Sequence, residues 1–195
     1  MAPNSTSRVL LDMAISLDGF VGSTDSTDPG LYDWYFDPPA QSKAVIDELV
    51  ETTGAIVLGR GAFGTGDDAE GWDDSPYHVK HFVVTHRPPA KSLNGPIEFV
   101  FVPDGVQRAI ELARAAAGDK YVTVGGGADV ARQLLAAGLI DELQLHVVPK
   151  LLGAGVPLFG GLDSAAAGLE LTKIRVVDSP VVTHLRYRVG ASRQG

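Results

Sequence analysis

The stretch from residue 122 to residue 159 constrains the fold of this chain more than any other. It contains a short β-rich run, the consecutive glycines Gly125, Gly126 and Gly127, a helical run, and another β-rich run that carries Glu142. Strands that alternate with helices are typical of a largely parallel sheet with helices packed on it. Glycines at a strand-to-helix joint let backbone N–H groups approach a ligand, and the start of the helix favours a phosphate. The stretch therefore predicts an α/β protein with a phosphate-binding turn.

Composition limits the class of protein. The chain has 195 residues, of which 45% are hydrophobic and 21% are charged, as expected for one globular domain. The formal net charge of -8 argues against nucleic acid or an anionic membrane as a partner, because both require a basic surface. Cysteine is absent, which excludes disulfides and thiol chemistry. No signal peptide or membrane-spanning run is found, so we expect a cytoplasmic protein.

Periodicity places further elements along the chain. Apolar runs predict strands at residues 8–15, 55–58, 81–85 and 97–102. Helical spacing predicts one helix over residues 39–53, which ends at Gly54, and another that begins after Asp104 as its N-cap. Together these runs predict a mixed, mostly parallel sheet of about eight strands with helices on both faces.

Two long β-rich runs near the end of the chain, 169–177 and 181–189, predict a hairpin around Ser179 and Pro180. Residues of the second run alternate between the two faces of the sheet. One face carries Val181, Thr183, Leu185, Tyr187 and Val189, and the other carries Val182, His184, Arg186 and Arg188. We expect a single domain over residues 8–190, with short tails at 1–7 and 191–195. An uncovered strand edge also predicts a homodimer.

Polar residues follow the predicted strand at 81–85. Thr85, His86 and Arg87 offer a hydroxyl, an imidazole and a guanidinium at the end of this strand, where they could hold the 2′-phosphate that distinguishes NADP from NAD. A solvated turn is the alternative. The G-x-G-x-x-G pattern that begins at Gly59 and Arg60 lacks the long helix and the later acidic residue of a Rossmann site. A short helix that meets a phosphate remains compatible with it.

Other candidate side chains are acidic or aromatic. Asp18 follows the first strand, where it could bind substrate or transfer a proton, or simply stabilise its own turn. Asp33 and Trp34 could form a wall of a substrate pocket, or Trp34 could anchor a loop on the core. His78 and His81 have no evident third ligand, so we predict no metal site.

Several segments together resemble the bacterial RibD C-terminal-domain family. They read MAISLDGF, IVLGRGAF, FVVTHRP, VTVGGGADVARQLLAAGLIDELQLHVVP, LLGAGVPLF and THLRYRV, and they span residues 8–189. The resemblance implies a dihydrofolate-reductase-like, three-layer α/β fold that binds NADPH across the strand ends. It also implies reduction of the ribosylamino group of a pyrimidine precursor of riboflavin to a ribitylamino group.

The resemblance also implies roles for individual residues. It assigns the cofactor diphosphate to Gly59 and Arg60, and the adenosine 2′-phosphate to Thr85, His86 and Arg87. It assigns the diphosphate and nicotinamide side to Gly125, Gly126, Gly127 and Ala128. The substrate pocket and catalysis would fall to Asp18, Asp33 and Trp34.

The chain departs from the family pattern in two places. Ala62 stands where the family usually has a threonine, and no obvious arginine pair is present for a ribose 5-phosphate. Two alternatives to the riboflavin-type reductase therefore remain open. One is a dihydrofolate-reductase-like pterin reductase with Asp33 as the carboxylate for the pterin. The other is a nucleotide-binding relative that has lost catalysis.

Overall fold

A computed structural model describes residues 7–25, 27–64, 72, 75–89, 95–162 and 168–191. Strands and helices alternate through most of this part of the chain. Their order is β1 (Val9–Ser16), α1 (Asp33–Phe36), α2 (Ala40–Thr52), β2 (Thr53–Gly59), α3 (Arg60–Phe63), β3 (Lys80–Val84), β4 (Phe99–Val102), α4 (Val106–Ala117), β5 (Tyr121–Gly126), α5 (Ala128–Ala136), β6 (Glu142–Val148), β7 (Leu169–Ser179) and β8 (Val182–Ala191).

The strands form one eight-stranded sheet in the order β4-β3-β2-β5-β1-β6-β8-β7. The first six strands in this order are parallel, whereas β8 runs antiparallel to β6 and β7 runs antiparallel to β8. The mostly parallel sheet and the C-terminal hairpin are therefore confirmed. Because β2, β3 and β5 are parallel, their carboxyl ends lie at one edge, and α3, α4 and α5 begin near that edge.

Helices cover both faces of the sheet, which confirms the three-layer architecture. The alternation of β1 divides its side chains between two layers. Leu11 and Met13 pack in the main core with α4 and α5. Leu10 packs on the opposite face, against Val45 and Leu49 of α2. Within the described residues, no helix is long and apolar enough to cross a membrane.

Two predicted helix ends are wrong. Gly54 does not terminate α2, because the helix ends at Thr52 and β2 begins at Thr53. Its small size matters for another reason: a Cβ at Gly54 would lie 2.4 Å from the carbonyl oxygen of Ala117. The N-cap of α4 is Gly105, with φ of 89°, rather than Asp104.

The predicted N-terminal tail is shorter than expected. Ser7 is buried, and its hydroxyl donates a hydrogen bond to the carbonyl oxygen of Gly118 at 2.5 Å. This contact ties the start of β1 to the end of α4. The remaining tail residues, 1–6 and 192–195, lie outside the described residues.

Candidate active site

A groove of about 610 Å³ opens at the carboxyl ends of β2, β3 and β5, and we call it the strand-end groove. Its lining includes the predicted residues Gly59, Arg60, Thr85, His86, Arg87, Gly127 and Ala128. These residues come from three separate segments of the sequence. The sheet therefore brings most of the predicted cofactor residues to one place.

Gly127 shapes the floor of the strand-end groove. It is the N-cap of α5, has φ of 91° and leaves the helix start without a side-chain cap. A Cβ at this position would lie 3.2 Å from the backbone nitrogen of Gly59, so only glycine lets the two turns approach this closely. The first N–H groups of α5 and the positive end of its dipole are thus available to an anion.

The charged side chains of the strand-end groove are mainly basic. Arg87 is exposed, and no described carboxylate pairs with it. Arg132 lies 3.7 Å from Asp129, and it donates a hydrogen bond to the carbonyl oxygen of Pro157. The hydroxyl of Thr85 accepts the backbone N–H of Arg87 at 3.0 Å, so Thr85 holds the turn that presents this guanidinium.

A second cavity, of about 360 Å³, lies on the sheet face that α1 and α2 cover, and we call it the sheet-face cavity. Aromatic side chains form much of its wall: Tyr32, Trp34, Tyr35, Phe36, Trp72 and Tyr77. Asp12, Thr123 and His146 reach it from the sheet. Gly125 lines this cavity, whereas Gly127 lines the strand-end groove. The two sites therefore meet at the glycine turn.

Gly126 joins the two sites by close packing. A Cβ at Gly126 would lie 2.6 Å from the Cβ of Ala62 in α3. A side chain at position 126 would therefore push α3 away from β5.

Asp12 is the carboxylate of the sheet-face cavity, and the sequence analysis missed it. Its side chain is 17% exposed; Oδ1 accepts a hydrogen bond from Nε2 of Gln144 at 3.0 Å and lies 2.9 Å from Nε2 of His146. No described residue contributes a hydrogen bond to Oδ2. The signal in the sequence is a lone carboxylate within the apolar run of β1.

A chain of buried polar groups continues from Asp12 into the protein. The Nδ1 atoms of His146 and His184 lie 2.6 Å apart, and Nε2 of His184 lies 2.9 Å from the hydroxyl of Ser42. The hydroxyls of Ser42 and Ser179 lie 2.8 Å apart. The alternation of β8 was predicted correctly, but its polar face is the one that points into the interior.

Burial changes the acidity of groups around the sheet-face cavity. Desolvation and, to a smaller extent, the neighbouring His146 lower the pKa of His184 to about 4. Burial and the charge of Asp12 raise the pKa of Tyr77 well above its ordinary value. Near neutral pH, the His184 imidazole is therefore neutral, and the Tyr77 phenol keeps its proton as a hydrogen-bond donor.

Two predicted catalytic carboxylates do not line the sheet-face cavity. The carboxylate of Asp18 accepts the hydroxyl of Ser16 at 2.6 Å and the backbone N–H of Gly153 at 2.7 Å, and these bonds lower its pKa. Asp33 is exposed and lies 3.5 Å from Nζ of Lys150. Asp18 and Asp33 therefore lie outside the sheet-face cavity, and each contacts a neighbouring loop instead.

Trp34 does line the sheet-face cavity. Its ring packs on His146 and His184, with centroid distances of 4.7 Å and 5.1 Å. Its buried indole N–H has no hydrogen-bond partner among the described residues. Trp34 therefore joins the cavity wall to the two buried histidines.

Solved structures with this fold include proteins linked to riboflavin synthesis. A putative riboflavin biosynthesis protein from Shewanella sp. PV-4 has a TM-score of 0.68 and 24% identity, covering 94% of this chain and 99% of the other. The riboflavin biosynthesis reductase Rib7 of Saccharomyces cerevisiae has a TM-score of 0.62 and 16% identity, covering 94% and 90%. At these identities, the structural likeness establishes the dihydrofolate-reductase-like fold.

Comparisons of sequence agree with this fold. The protein YyaP of Bacillus subtilis (strain 168), described as uncharacterized, is 26% identical over 184 residues, which cover 90% of this chain and 92% of YyaP. The uncharacterized YwjB of the same organism is 24% identical over 158 residues, covering 80% and 85%. A family model described as the RibD C-terminal domain matches residues 7–183. The chain therefore belongs to the RibD C-terminal domain family.

Proposed function

We propose that this protein is an NADPH-dependent reductase of a small planar heterocycle, similar to 5-amino-6-(5-phosphoribosylamino)uracil reductases. One observation carries the proposal: the strand-end groove and the sheet-face cavity meet at consecutive glycines. Gly127 lines the groove and Gly125 lines the cavity. A dinucleotide held in the groove would thus end beside a substrate held in the cavity.

The residues of the strand-end groove suit a phosphorylated dinucleotide. Gly59 and Gly127 leave room for a diphosphate beside the uncapped start of α5. Arg87 and His86 would hold the adenosine 2′-phosphate on the turn that Thr85 stabilises. When bound, NADPH supplies a hydride, while the protein orients the reactants and provides a proton.

Cofactor titration tests this proposal. NADPH is expected to bind more tightly than NADH. Arg87→Ala is expected to lower the affinity for NADPH by about tenfold to 100-fold, because a charge-assisted phosphate contact is lost. Arg108→Ala is the matched control, since Arg108 lies on α4 and pairs with Glu111 outside the groove. Equal affinity for NADH and NADPH, or an unchanged preference in Arg87→Ala, would contradict the assignment.

The sheet-face cavity favours an unphosphorylated substrate over a ribose phosphate. No lysine or arginine occurs among the described residues that line it. A carboxylate between aromatic walls matches a flat nitrogen heterocycle that donates hydrogen bonds or carries positive charge. A pterin is therefore our second candidate substrate, with Asp12 rather than Asp33 as the carboxylate.

Substrate assays separate these candidates. NADPH oxidation would be followed with 5-amino-6-(5-phosphoribosylamino)uracil and with an unphosphorylated dihydropterin. Turnover of the pyrimidine alone would support the riboflavin-type activity, and turnover of the dihydropterin alone would support the second candidate. Loss of turnover in Asp12→Asn, with NADPH affinity retained, would assign Asp12 to the substrate site. Tight NADPH binding without turnover of either compound would favour a relative that has lost catalysis.

A further inference from the structure

We propose that the buried polar chain from Asp12 to Ser42 is a proton relay, which carries protons from the β7–β8 turn to the sheet-face cavity. The proposal rests on the reductase function above, because reduction of a C=N bond consumes one proton for each hydride. Ser179 marks the outer end of the relay, and Asp12 marks the end in the cavity. His146, His184 and Ser42 connect them.

Every link in the chain is short enough for a hydrogen bond. The separations are 2.9 Å from Asp12 to His146, 2.6 Å between the two histidines, 2.9 Å from His184 to Ser42, and 2.8 Å from Ser42 to Ser179. Register explains the contact between the histidines, since His146 and His184 are paired across β6 and β8. The relay therefore runs perpendicular to the strands, from the centre of the sheet toward its edge.

The hydrogen atoms of the buried polar chain can be arranged in two opposite orders, which differ in the direction of every hydrogen bond. With Asp12 as a carboxylate, His146 must carry its hydrogen on Nε2 and accept at Nδ1 from Nδ1–H of His184. Nε2 of His184 then accepts the hydroxyl hydrogen of Ser42. With Asp12 protonated, every donor and acceptor reverses, and Ser42 donates to Ser179. Each order pairs all members, so neither leaves a buried polar group unsatisfied.

Transfer between the two orders moves one proton without creating a buried charge on a histidine. His146 gives its Nε2 proton to Asp12 and takes the Nδ1 proton of His184 at its own Nδ1. His184 takes the hydroxyl proton of Ser42 at Nε2, Ser42 takes the hydroxyl proton of Ser179, and Ser179 takes a proton from solvent. Asp12 then gives its proton to the nitrogen of the substrate. After the product leaves the cavity, Asp12 takes a proton from solvent and the same transfers run in reverse, which restores the first order.

The surroundings keep the His184 imidazole neutral. Desolvation, His146 and Arg175 all lower the pKa of His184, whereas Asp12 acts in the opposite direction. Among the described residues, the charged and titratable groups that face this region include Asp12 of β1, Glu48 of α2, Glu142 and His146 of β6, Arg175 of β7, Arg186 of β8, and the cavity residues Tyr32, Tyr35 and Tyr77. Glu48 and Glu142 are both paired with Arg186, so their charges are compensated.

The outer end of the relay lies close to solvent. Ser179 is the last residue of β7 and is 8% exposed, and Pro180 and Val181 beside it are exposed. At the other end, Asp12 Oδ2 has no described hydrogen-bond partner and the residue lines the cavity. A bound substrate would cover the cavity side, so a route from the interior becomes useful during reduction.

Nuclear magnetic resonance of the cofactor-free protein tests the relay directly. With ¹⁵N-labelled histidine, we expect His146 as the Nε2–H tautomer and His184 as the Nδ1–H tautomer while Asp12 is ionised. A scalar coupling between the two Nδ1 nitrogens should report their shared hydrogen bond. As pH falls, both rings should exchange tautomers at the midpoint of the Asp12 ¹³Cγ titration. Independent titration of the rings, or an absent N–N coupling, would overturn the proposal.

A matched pair of variants tests the role of Ser42. Ser42→Ala removes a buried hydroxyl from the relay, and Thr53→Val removes one from the buried pair of Thr53 and Thr123 outside it. The tautomer exchange of His184 should be lost in Ser42→Ala and kept in Thr53→Val. If either variant fails to fold, Ser42→Thr, which retains the hydroxyl, and His184→Asn, which removes the imidazole, provide the comparison with the tautomer of His146 as the readout.

Kinetics give a second readout with the heterocycle that is turned over. Ser42→Ala should lower kcat by about 100-fold, as expected for loss of proton transfer, and leave KM within about twofold. A plot of the wild-type kcat against the fraction of D₂O should be curved, because several protons move in the same step. The plot should become linear in Ser42→Ala. An unchanged curve would contradict the relay. Absence of any turnover would reject the reductase function, and the tautomer measurements would still decide the relay.

Discussion

At the scale of single residues, Gly127 combines two constraints. Its φ is 91°, and a Cβ would also press on the backbone of Gly59. We expect Gly127→Ala to lower the free energy of unfolding by about 1–3 kcal/mol, because its backbone is strained. We also expect it to lower the affinity for NADPH by at least about tenfold, because the turns at Gly59 and Gly127 separate. Urea denaturation and NADPH titration measure the two effects.

Gly138 provides the control for this prediction. Its φ is 64°, but no atom would lie within 4 Å of an added Cβ. Gly138→Ala therefore adds backbone strain beyond the end of α5 without disturbing the strand-end groove. We expect it to lose stability and to keep its NADPH affinity. Equal NADPH affinity in the two variants would show that the contact with Gly59 does not shape the groove.

His184 predicts a dependence of stability on pH. Because burial lowers its folded pKa from 6.5 to about 4, the unfolded chain binds this proton first as pH falls. The free energy of unfolding should rise between about pH 4 and pH 6.5, by on the order of 3 kcal/mol from this group, and then level off. Burial also lowers the pKa of His81, which adds to the same slope.

The variant His184→Asn should have a shallower slope, because only the His81 contribution of these two remains. Urea denaturation at several pH values from about 4 to 7 would measure it for both proteins. An identical slope in the wild type and the variant would contradict the assignment to His184. The measurement is independent of cofactor and substrate, and the difference in slope between the two proteins reports on His184.

At the scale of elements, Glu142 joins three parts of the fold. It is 2% exposed at the start of β6, where it pairs with Arg186 of β8 at 2.8 Å and with Arg8 before β1 at 2.6 Å. Arg186 also contacts Glu48 of α2 at 3.2 Å. Removing one partner of a buried pair leaves an uncompensated charge. We expect Glu142→Gln to lower the free energy of unfolding by about 3 kcal/mol in urea denaturation.

Glu98→Gln is the matched control for Glu142→Gln. Glu98 pairs with Lys80 at 2.9 Å, but the side chains of Glu98 and Lys80 are 59% and 50% exposed. Solvent screens such a pair, so the expected loss is below about 1 kcal/mol. Losses of equal size in the two variants would show that burial does not strengthen the Glu142 network.

The elements themselves were largely predictable because apolar runs and turn residues are local signals. The sheet-face cavity was not, since its polar groups come from strands far apart in sequence. Asp12 lies opposite Gln144 in the β1–β6 register, and His146 lies opposite His184 in the β6–β8 register. Nothing in the separate segments fixes these registers. That several predicted residues meet in the strand-end groove could be expected, because each follows a strand and parallel strands end at one edge.

At the scale of the whole molecule, the predicted homodimer has a candidate interface in the C-terminal hairpin. Leu171 and Val176 of β7 are 48% and 50% exposed, and they pair with Val189 and Leu185 of β8, which are only partly buried. These side chains lie on one face of the hairpin, together with Lys173, which pairs with Tyr187 between them. A second copy of the chain would bury this face and protect the long edge strand.

Sedimentation of charge-introducing variants tests the dimer. We expect the wild type to sediment as a dimer at micromolar concentration, and Val176→Lys to shift it toward the monomer, because a lysine would be buried in the apolar interface. Thr172→Lys adds the same charge to the same strand, but on the opposite face, since Thr172 pairs with Arg188. It should therefore remain dimeric. A monomeric wild type would contradict the dimer. Dissociation of both variants would indicate that the interface lies at the edge of β7 and not on this face of the hairpin.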